Sequence, residues 1–211
     1  MAACVPILAA AAVLSALPPV PVPPENPITE PKRLLGKVLF FDEQLSSDGT
    51  VACATCHQHT LGGGDPRRAR HPGADGVLNT ADDPFGSPGV VRSDPLTNYL
   101  RDLTFGIRPQ VTRRQANSPI NAAYATTLFW DGRAGNQFVN PETGQMVVFA
   151  DGALESQAVQ PILNPVEMAH DGATWVSVIA RIRNARPLAL ASGLTPDLAA
   201  GLADEPDYPQ L

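Results

Sequence analysis

Apolar residues are distributed along this 211-residue chain in ways that predict different elements in different stretches. Residues Ala2 to Leu17 are almost unbroken Ala, Val, Leu and Ile, followed by the proline-rich run from Pro18 to Pro24. Such a run is short for a membrane span and reads as the apolar part of a secretory leader, although no Lys or Arg stands near Met1. Residues 1–28 are accordingly assigned to a leader and linker, and Cys4 stands in it as a candidate lipidation remnant. From Thr29 the spacing becomes helical. Thr29-Glu30-Pro31 can start a helix, and Leu34, Leu35, Val38 and Leu39 share one face of it up to Phe41-Asp42. Helices are also expected over Ala153 to Ile162 and over Ala173 to Asn184, the latter with Trp175, Val178, Ile179 and Ile182 on one side. Between Gly62 and Arg114 no periodicity is sustained, and Pro, Gly and Asp recur, so a long irregular loop is expected there. The tail from Leu194 to Leu211 shows neither a cap nor a closing apolar element.

Composition narrows the class. The chain has 22 prolines and 17 glycines, which limits long regular elements, and only 6% of it is aromatic. A formal net charge of −6 and a sequence pI of about 5.1 argue against nucleic acid or an anionic membrane as partner.

The candidate chemistry lies in Cys53-Ala54-Thr55-Cys56-His57. In this CxxCH spacing, two thiols on one turn can each add to a porphyrin vinyl group, and the histidine that follows is placed to ligate the iron, as in c-type haem attachment. A zinc ribbon would need a second CxxC, and the remaining cysteine is the distant Cys4. A thioredoxin-like redox pair would follow a buried strand, whereas Ser46-Ser47-Asp48-Gly49-Thr50 precedes this motif and Gly62-Gly63-Gly64 follows it. Covalent haem requires an extracytoplasmic maturation machinery, so the leader and the motif agree on a periplasmic or otherwise extracytoplasmic location.

Further motifs follow in order. Leu35 to Asp42 and Leu45-Ser46 stand before the CxxCH; Asn117 to Ala123, Phe129-Trp130-Asp131-Gly132-Arg133-Ala134, Glu155-Ser156-Gln157-Ala158 and Pro161 to Met168 come after it. Together they resemble the N-terminal, peroxidatic half of the bacterial di-haem cytochrome c peroxidases, including the branch that matures methylamine dehydrogenase, over about Thr29 to Asn184. The resemblance implies a mainly α, cytochrome c-like domain around one covalent haem across residues 29–211, with long loops. It implies that His57 is the proximal iron ligand, that Glu167 is the distal acid–base carboxylate and that Gln157 helps orient peroxide. It also implies that Trp130 is a buried indole between two haems, that Arg133 pairs with a haem propionate and that Asn117 helps hold calcium. A desolvated carboxylate suits Glu167's role, because burial moves its pKa toward neutrality. Met146 and Met168 are read as packing residues, and His59 and His170 as surface residues.

The chain departs from that pattern in several places. Ala134 to Leu154 reads as a surface, hairpin-like insertion around Asn140-Pro141-Glu142-Thr143-Gly144. The loop from His71 to Asp83 gathers Asp75, Asp82 and Asp83, a second candidate calcium loop, and His71 lies where some members supply a removable distal histidine. No second CxxCH is present. Family members carry one in a C-terminal domain that receives electrons from a small cytochrome or cupredoxin, so a fragment of a longer chain is expected, with a homodimer in the full-length form. Two function classes stay open: a peroxidase that reduces hydrogen peroxide to water, and a mono-haem electron carrier with a methionine as second axial ligand.

Overall fold

The computed structural model describes residues 17–203 and 207–209; the leader up to residue 16, with Cys4, lies outside the described residues. Helix α1 spans Glu30–Phe41. Thr29 starts it, its Oγ accepting from the Lys32 amide, with Pro31 in the first turn where a missing N–H costs nothing. The helix stops at Asp42, whose extended backbone leads into a 3-10 turn over Glu43–Leu45. Its apolar stripe faces inward, with Val38 completely buried.

The CxxCH motif forms α2, Cys53–Cys56, a single turn. The expected helix over Ala153 to Ile162 is two pieces, α3 at Ala153–Ala158 and α4 at Gln160–Leu163. It breaks at Val159 because Pro161 cannot donate into a continuous ladder. Helix α5, Trp175–Arg183, starts in a reciprocal capping box between Thr174 and Ser177. Arg181 reaches from it to the carbonyls of Gln44 and Leu45 at 3.1 and 2.7 Å, fastening α5 to the turn after α1. Helix α6 spans Pro196–Gly201.

The mainly α expectation is not met: the described residues are 26% helical and 13% strand. The segment expected to be one irregular loop contains two small antiparallel ladders. Strand β1 (Ala69–Arg70) pairs with β2 (Phe85–Gly86), and β3 (Pro88–Val91) pairs with β4 (Pro109–Val111) across a bulge. Each strand is only two to four residues long, too short for a period-2 pattern to be read. The insertion forms a third ladder, β5 (Phe138–Val139) with β6 (Met146–Val148), around a turn in which Asn140 caps the amides of Glu142 and Thr143. It lies on the surface as expected, pinned by the buried Ala134 and Val148.

Two apolar clusters hold these pieces together. One joins Leu45, Val51, Val90, Met168 and Val178, between the attachment turn, β3 and α5. The other joins Val38, Leu188, Leu198 and Tyr208. Burying each such aliphatic side chain contributes about 1.5–3 kcal/mol. The second cluster also corrects the reading of the tail, because Leu198 and Tyr208 close over α1 as apolar elements.

Candidate functional site

The attachment turn is held from both ends. Thr55 Oγ accepts from the Ala52 amide at 2.8 Å, and the His57 amide donates to the Cys53 carbonyl at 3.0 Å. Cys53 and Cys56 are free, half-buried thiols; burial pushes both up from the ordinary thiol range, Cys56 to about 11. His57 Nδ1 lies 3.2 Å from the Gly63 carbonyl. A carbonyl accepts only, so Nδ1 carries the proton and Nε2 presents its lone pair, the tautomer an axial ligand needs. The glycines after the motif are required by this geometry. Gly62 and Gly63 have φ of 66° and 81°, and a Cβ on Gly63 would lie 2.5 Å from Pro119 Cδ. Two adjacent free thiols and one oriented imidazole are the donor set that covalent haem requires, so the residues present fit that group.

A cation–anion pair whose carboxylate is buried abuts the turn. Asp65 has no exposed side-chain surface and accepts from the Arg67 guanidinium at 3.0 Å. Arg67 Nη2 also donates to Cys56 Sγ at 3.2 Å and to the Pro88 carbonyl at 3.3 Å.

Glu167 stands in a tight loop built on Asn164. The Asn164 carbonyl accepts from the amides of Glu167, Met168 and Ala169, and its Oδ1 accepts from Val166 at 2.9 Å. Asn164 Nδ2 then donates to Glu167 Oε1 at 3.2 Å. Burial raises the Glu167 pKa above the usual carboxylate range, and the positive charge of Arg133 works against that rise. The negative charge of Glu167 is also one of the causes holding the Cys56 thiol up, and the two are linked through β3, which meets the Glu167 loop at Gly89 and Arg67 at Pro88. Gln157 projects from α3, half-buried, with no hydrogen bond from its side chain to other described residues.

Other residues singled out from the sequence fall elsewhere. Trp130 is not buried: it is 85% exposed on a turn between Phe129 and Gly132, with the Arg114 guanidinium 5.5 Å from its ring. Phe129 and Gly132, at the two ends of that turn, both have positive φ. Arg133 stacks 3.4 Å over Phe129 and pairs with Asp131 at 2.9 Å. Asn117 is exposed, and its Nδ2 bonds only to the neighbouring Ser118 carbonyl. Asp75, Asp82 and Asp83 cap amides and the Thr80 hydroxyl within their own loop. Among the described residues no three His, Cys, Asp or Glu side chains gather as a metal site would require. His71 is buried edge-on against Phe105, its Nδ1 without a partner. His59 is exposed as expected, but His170 is only 6% exposed, its amide held by Ser47 Oγ and its Nδ1 2.8 Å from the Asp171 carbonyl. Met168 packs in the core, whereas Met146 is 40% exposed on β6.

Sequence reasoning missed Asp65, Arg67, Gly89 and Gln110. None has a periodic or motif signal. A Cβ on Gly89 would lie 1.9 Å from the Val166 carbonyl, and Gln110 donates to the Pro165 carbonyl at 2.7 Å, so both act on the Glu167 loop across more than fifty residues of chain.

Comparison with known proteins agrees with the motifs. A family model described as di-haem cytochrome c peroxidase matches residues 30–191. The methylamine utilization protein MauG of Methylophilus methylotrophus is 32% identical over 80% of this chain and 35% of its own length. Cytochrome-c peroxidase IdrP1 of Denitromonas iodatirespirans is 34% identical over 56% of this chain and 23% of its own. Cytochrome c peroxidase Ccp of Escherichia coli is 28% identical over 77% of this chain and 23% of its own. The chain thus spans about a quarter to a third of these relatives' lengths. A solved MauG-like protein associated with microbial copper homeostasis aligns over 93% of this chain and 41% of its own, at 23% identity and a TM-score of 0.44, too loose a likeness to carry an argument.

Proposed function

The chain belongs to the di-haem cytochrome c peroxidase family, and from that premise we propose that it forms the haem-bearing, peroxide-reducing part of an extracytoplasmic oxidoreductase. The observation that carries this reading is Glu167: a half-buried carboxylate with a raised pKa, on a loop pressed by Gly89 of β3, whose neighbour Pro88 accepts from the Arg67 guanidinium that also meets Cys56 of the CxxCH turn. Cys53 and Cys56 would hold the haem covalently and His57 would ligate its iron. When bound, the haem supplies a redox-active iron at which peroxide is reduced.

The chain's own residues handle protons and position. Glu167 takes a proton from the near oxygen of hydrogen peroxide and delivers it to the far oxygen, which leaves as water. Asn164 holds Oε1 by a single hydrogen bond, which leaves the other carboxylate oxygen for that proton. Gln157, with no side-chain hydrogen bond to other described residues, orients the peroxide. Reduction of one peroxide to two waters consumes two electrons and two protons. The electrons come from a small redox protein, through a second haem domain of the kind that the longer relatives carry, and Trp130, exposed at the surface, is the contact residue on this side. His71 is a candidate removable distal ligand, Arg133 a propionate partner once released from Asp131, and Asn117 a calcium ligand.

The carrier alternative needs a methionine as second axial ligand, and Met168 is committed to the apolar core. No helix among the described residues is long and apolar enough to cross a membrane. The test is stopped-flow mixing of the haem-loaded chain with hydrogen peroxide. A rapid spectral change at the haem supports the peroxidase, and inertness toward peroxide with reversible one-electron redox behaviour supports the carrier.

A further inference from the structure

The attachment turn and the Glu167 loop come from distant stretches of the chain, and β3 reaches the first through Arg67 and touches the second directly. Its first residue, Pro88, accepts at the carbonyl from Arg67 Nη2 at 3.3 Å, and the same nitrogen lies 3.2 Å from Cys56 Sγ. Asp65, buried to its last side-chain atom, pins that guanidinium from behind. At Gly89 the backbone presses directly on the Glu167 loop, since a Cβ would fall 1.9 Å from the Val166 carbonyl and 2.9 Å from Glu167 Cα. The carbonyl of Val90 accepts from Gln110 Nε2 at 3.4 Å, and that amide, 5% exposed, donates to the Pro165 carbonyl at 2.7 Å.

We propose that β3 is the spacer that holds Glu167 at a set position relative to the haem-attachment turn, with Arg67 fastening its Cys56 side and Gln110 its Glu167 side. The inference rests on the reading of Glu167 as the proton carrier. β3 is short extended backbone packed between these parts, bulged between Pro88 and Val91, and what grips Pro88 and Val90 sets the separation of the parts. Arg67 is suited to one end because its fork engages Asp65, sulfur and a carbonyl together, which a point-charge ammonium cannot do. Gln110 is suited to the other because a buried amide bridging two carbonyls is costly to displace. Both are positioning residues that act on Cys56 and Glu167 without contact with peroxide. A displacement of about 1 Å at a reacting group costs up to ~100-fold in rate.

The experiment uses the haem-loaded chain and its Arg67→Met, Gln110→Leu and Arg67→Lys variants, with Glu167→Gln as control. Arg67→Met and Gln110→Leu are expected to lower the second-order rate with hydrogen peroxide roughly 10- to 100-fold. Peptide mass spectrometry should still find both thioether bonds. Arg67→Lys, which keeps one cationic donor, should recover part of the loss. Amide hydrogen exchange at Glu167 and Met168 should quicken about 10-fold or more in the two severe variants, as expected when a loop loses its clamp. Rates and exchange within about twofold of the parent, alongside a slow Glu167→Gln, would overturn the spacer. If Glu167→Gln reacts as fast as the parent, the reading of Glu167 fails instead, and exchange alone decides: unchanged exchange rejects the spacer and faster exchange upholds it. Should Gln110→Leu not fold, Gln110→Glu, of the same shape without the donor, replaces it in both measurements.

Discussion

The helical end of the molecule buries a carboxylate and the face that carries the attachment turn half-buries another, and they treat them in opposite ways. At the helical end Asp42 is 1% exposed and saturated: it accepts from the Gln44 amide at 2.9 Å, the Gln44 side chain at 3.1 Å, the Leu188 amide at 2.8 Å and the Tyr208 hydroxyl. These donors come from α1's exit turn, from the segment after α5 and from the tail, so one carboxylate ties together three parts of the chain. The Tyr208 hydroxyl is pushed well above its ordinary pKa, first by burial and then by Asp42. On the other face Glu167 accepts one side-chain hydrogen bond, and burial raises its pKa. A saturated buried carboxylate is a structural tie, and an under-satisfied one is prepared to take up a proton.

The largest effect separates the two regions by their need for haem. Replacing both Cys53 and Cys56 with Ala should abolish covalent haem, so that no colour survives denaturing electrophoresis, while α1 and α5 keep their far-ultraviolet helical signal. Colour that persists in this variant would show that the thiols are not the attachment points.

Next comes chemistry without stability. Glu167→Gln should lower the peroxide reaction roughly 100-fold or more, the range for losing a general acid–base group. Its haem content and melting temperature should stay close to the parent's. An unchanged rate would make Glu167 another structural carboxylate and erase the contrast.

Asp42→Ala should do the reverse. It strands buried amide and hydroxyl donors and should cost about 3 kcal/mol in urea unfolding, with little change in the peroxide rate of the chains that remain folded. A loss under about 0.5 kcal/mol would show that the four contacts are incidental.

The smallest effects are in pH. Glu167 must be ionised to accept a proton, so the peroxide rate should rise with pH through an inflection above the ordinary carboxylate range. Removing the opposing charge with Arg133→Leu should move that inflection higher. The stability linkage has a matching sign: because the folded pKa is raised, Glu167's contribution is fully present below the unfolded value and is lost as pH rises through the folded one. Glu167→Gln should therefore flatten that part of the stability–pH curve. An inflection that stays put in Arg133→Leu would place the arginine too far away to act.

How much of this was legible in the sequence depended on whether a signal was local. Thr29, Pro31 and the Leu34-Leu35-Val38-Leu39 stripe marked α1 to its last residue, because capping and helical spacing are properties of a short stretch. Trp175, Val178, Ile179 and Ile182 marked α5 by the same spacing, although it starts at Trp175 and not at Ala173. The ladders between Gly62 and Arg114 carried no such mark, since strands of two to four residues are stabilised by partners that are distant in sequence. The burial of His170 and the exposure of Trp130 also ran against expectation, because a lone ring's environment is set by what packs on it.

By itself the sequence determined the chemistry available. CxxCH supplies two thiols and an imidazole on one turn, and the order of motifs through Glu167 identifies the family, because both depend on which residues are present and how they are spaced. Only the tertiary structure decided how that chemistry is held. It brings Arg67 against Cys56, sets Gly89 and Gln110 on the Glu167 loop, and saturates Asp42 while leaving Glu167 nearly bare. Those outcomes join residues tens of positions apart through hydrogen bonds and steric contacts that no local pattern encodes. They exist only once packing has buried Asp42, half-buried Glu167 and supplied hydrogen-bond donors mainly to the first of them.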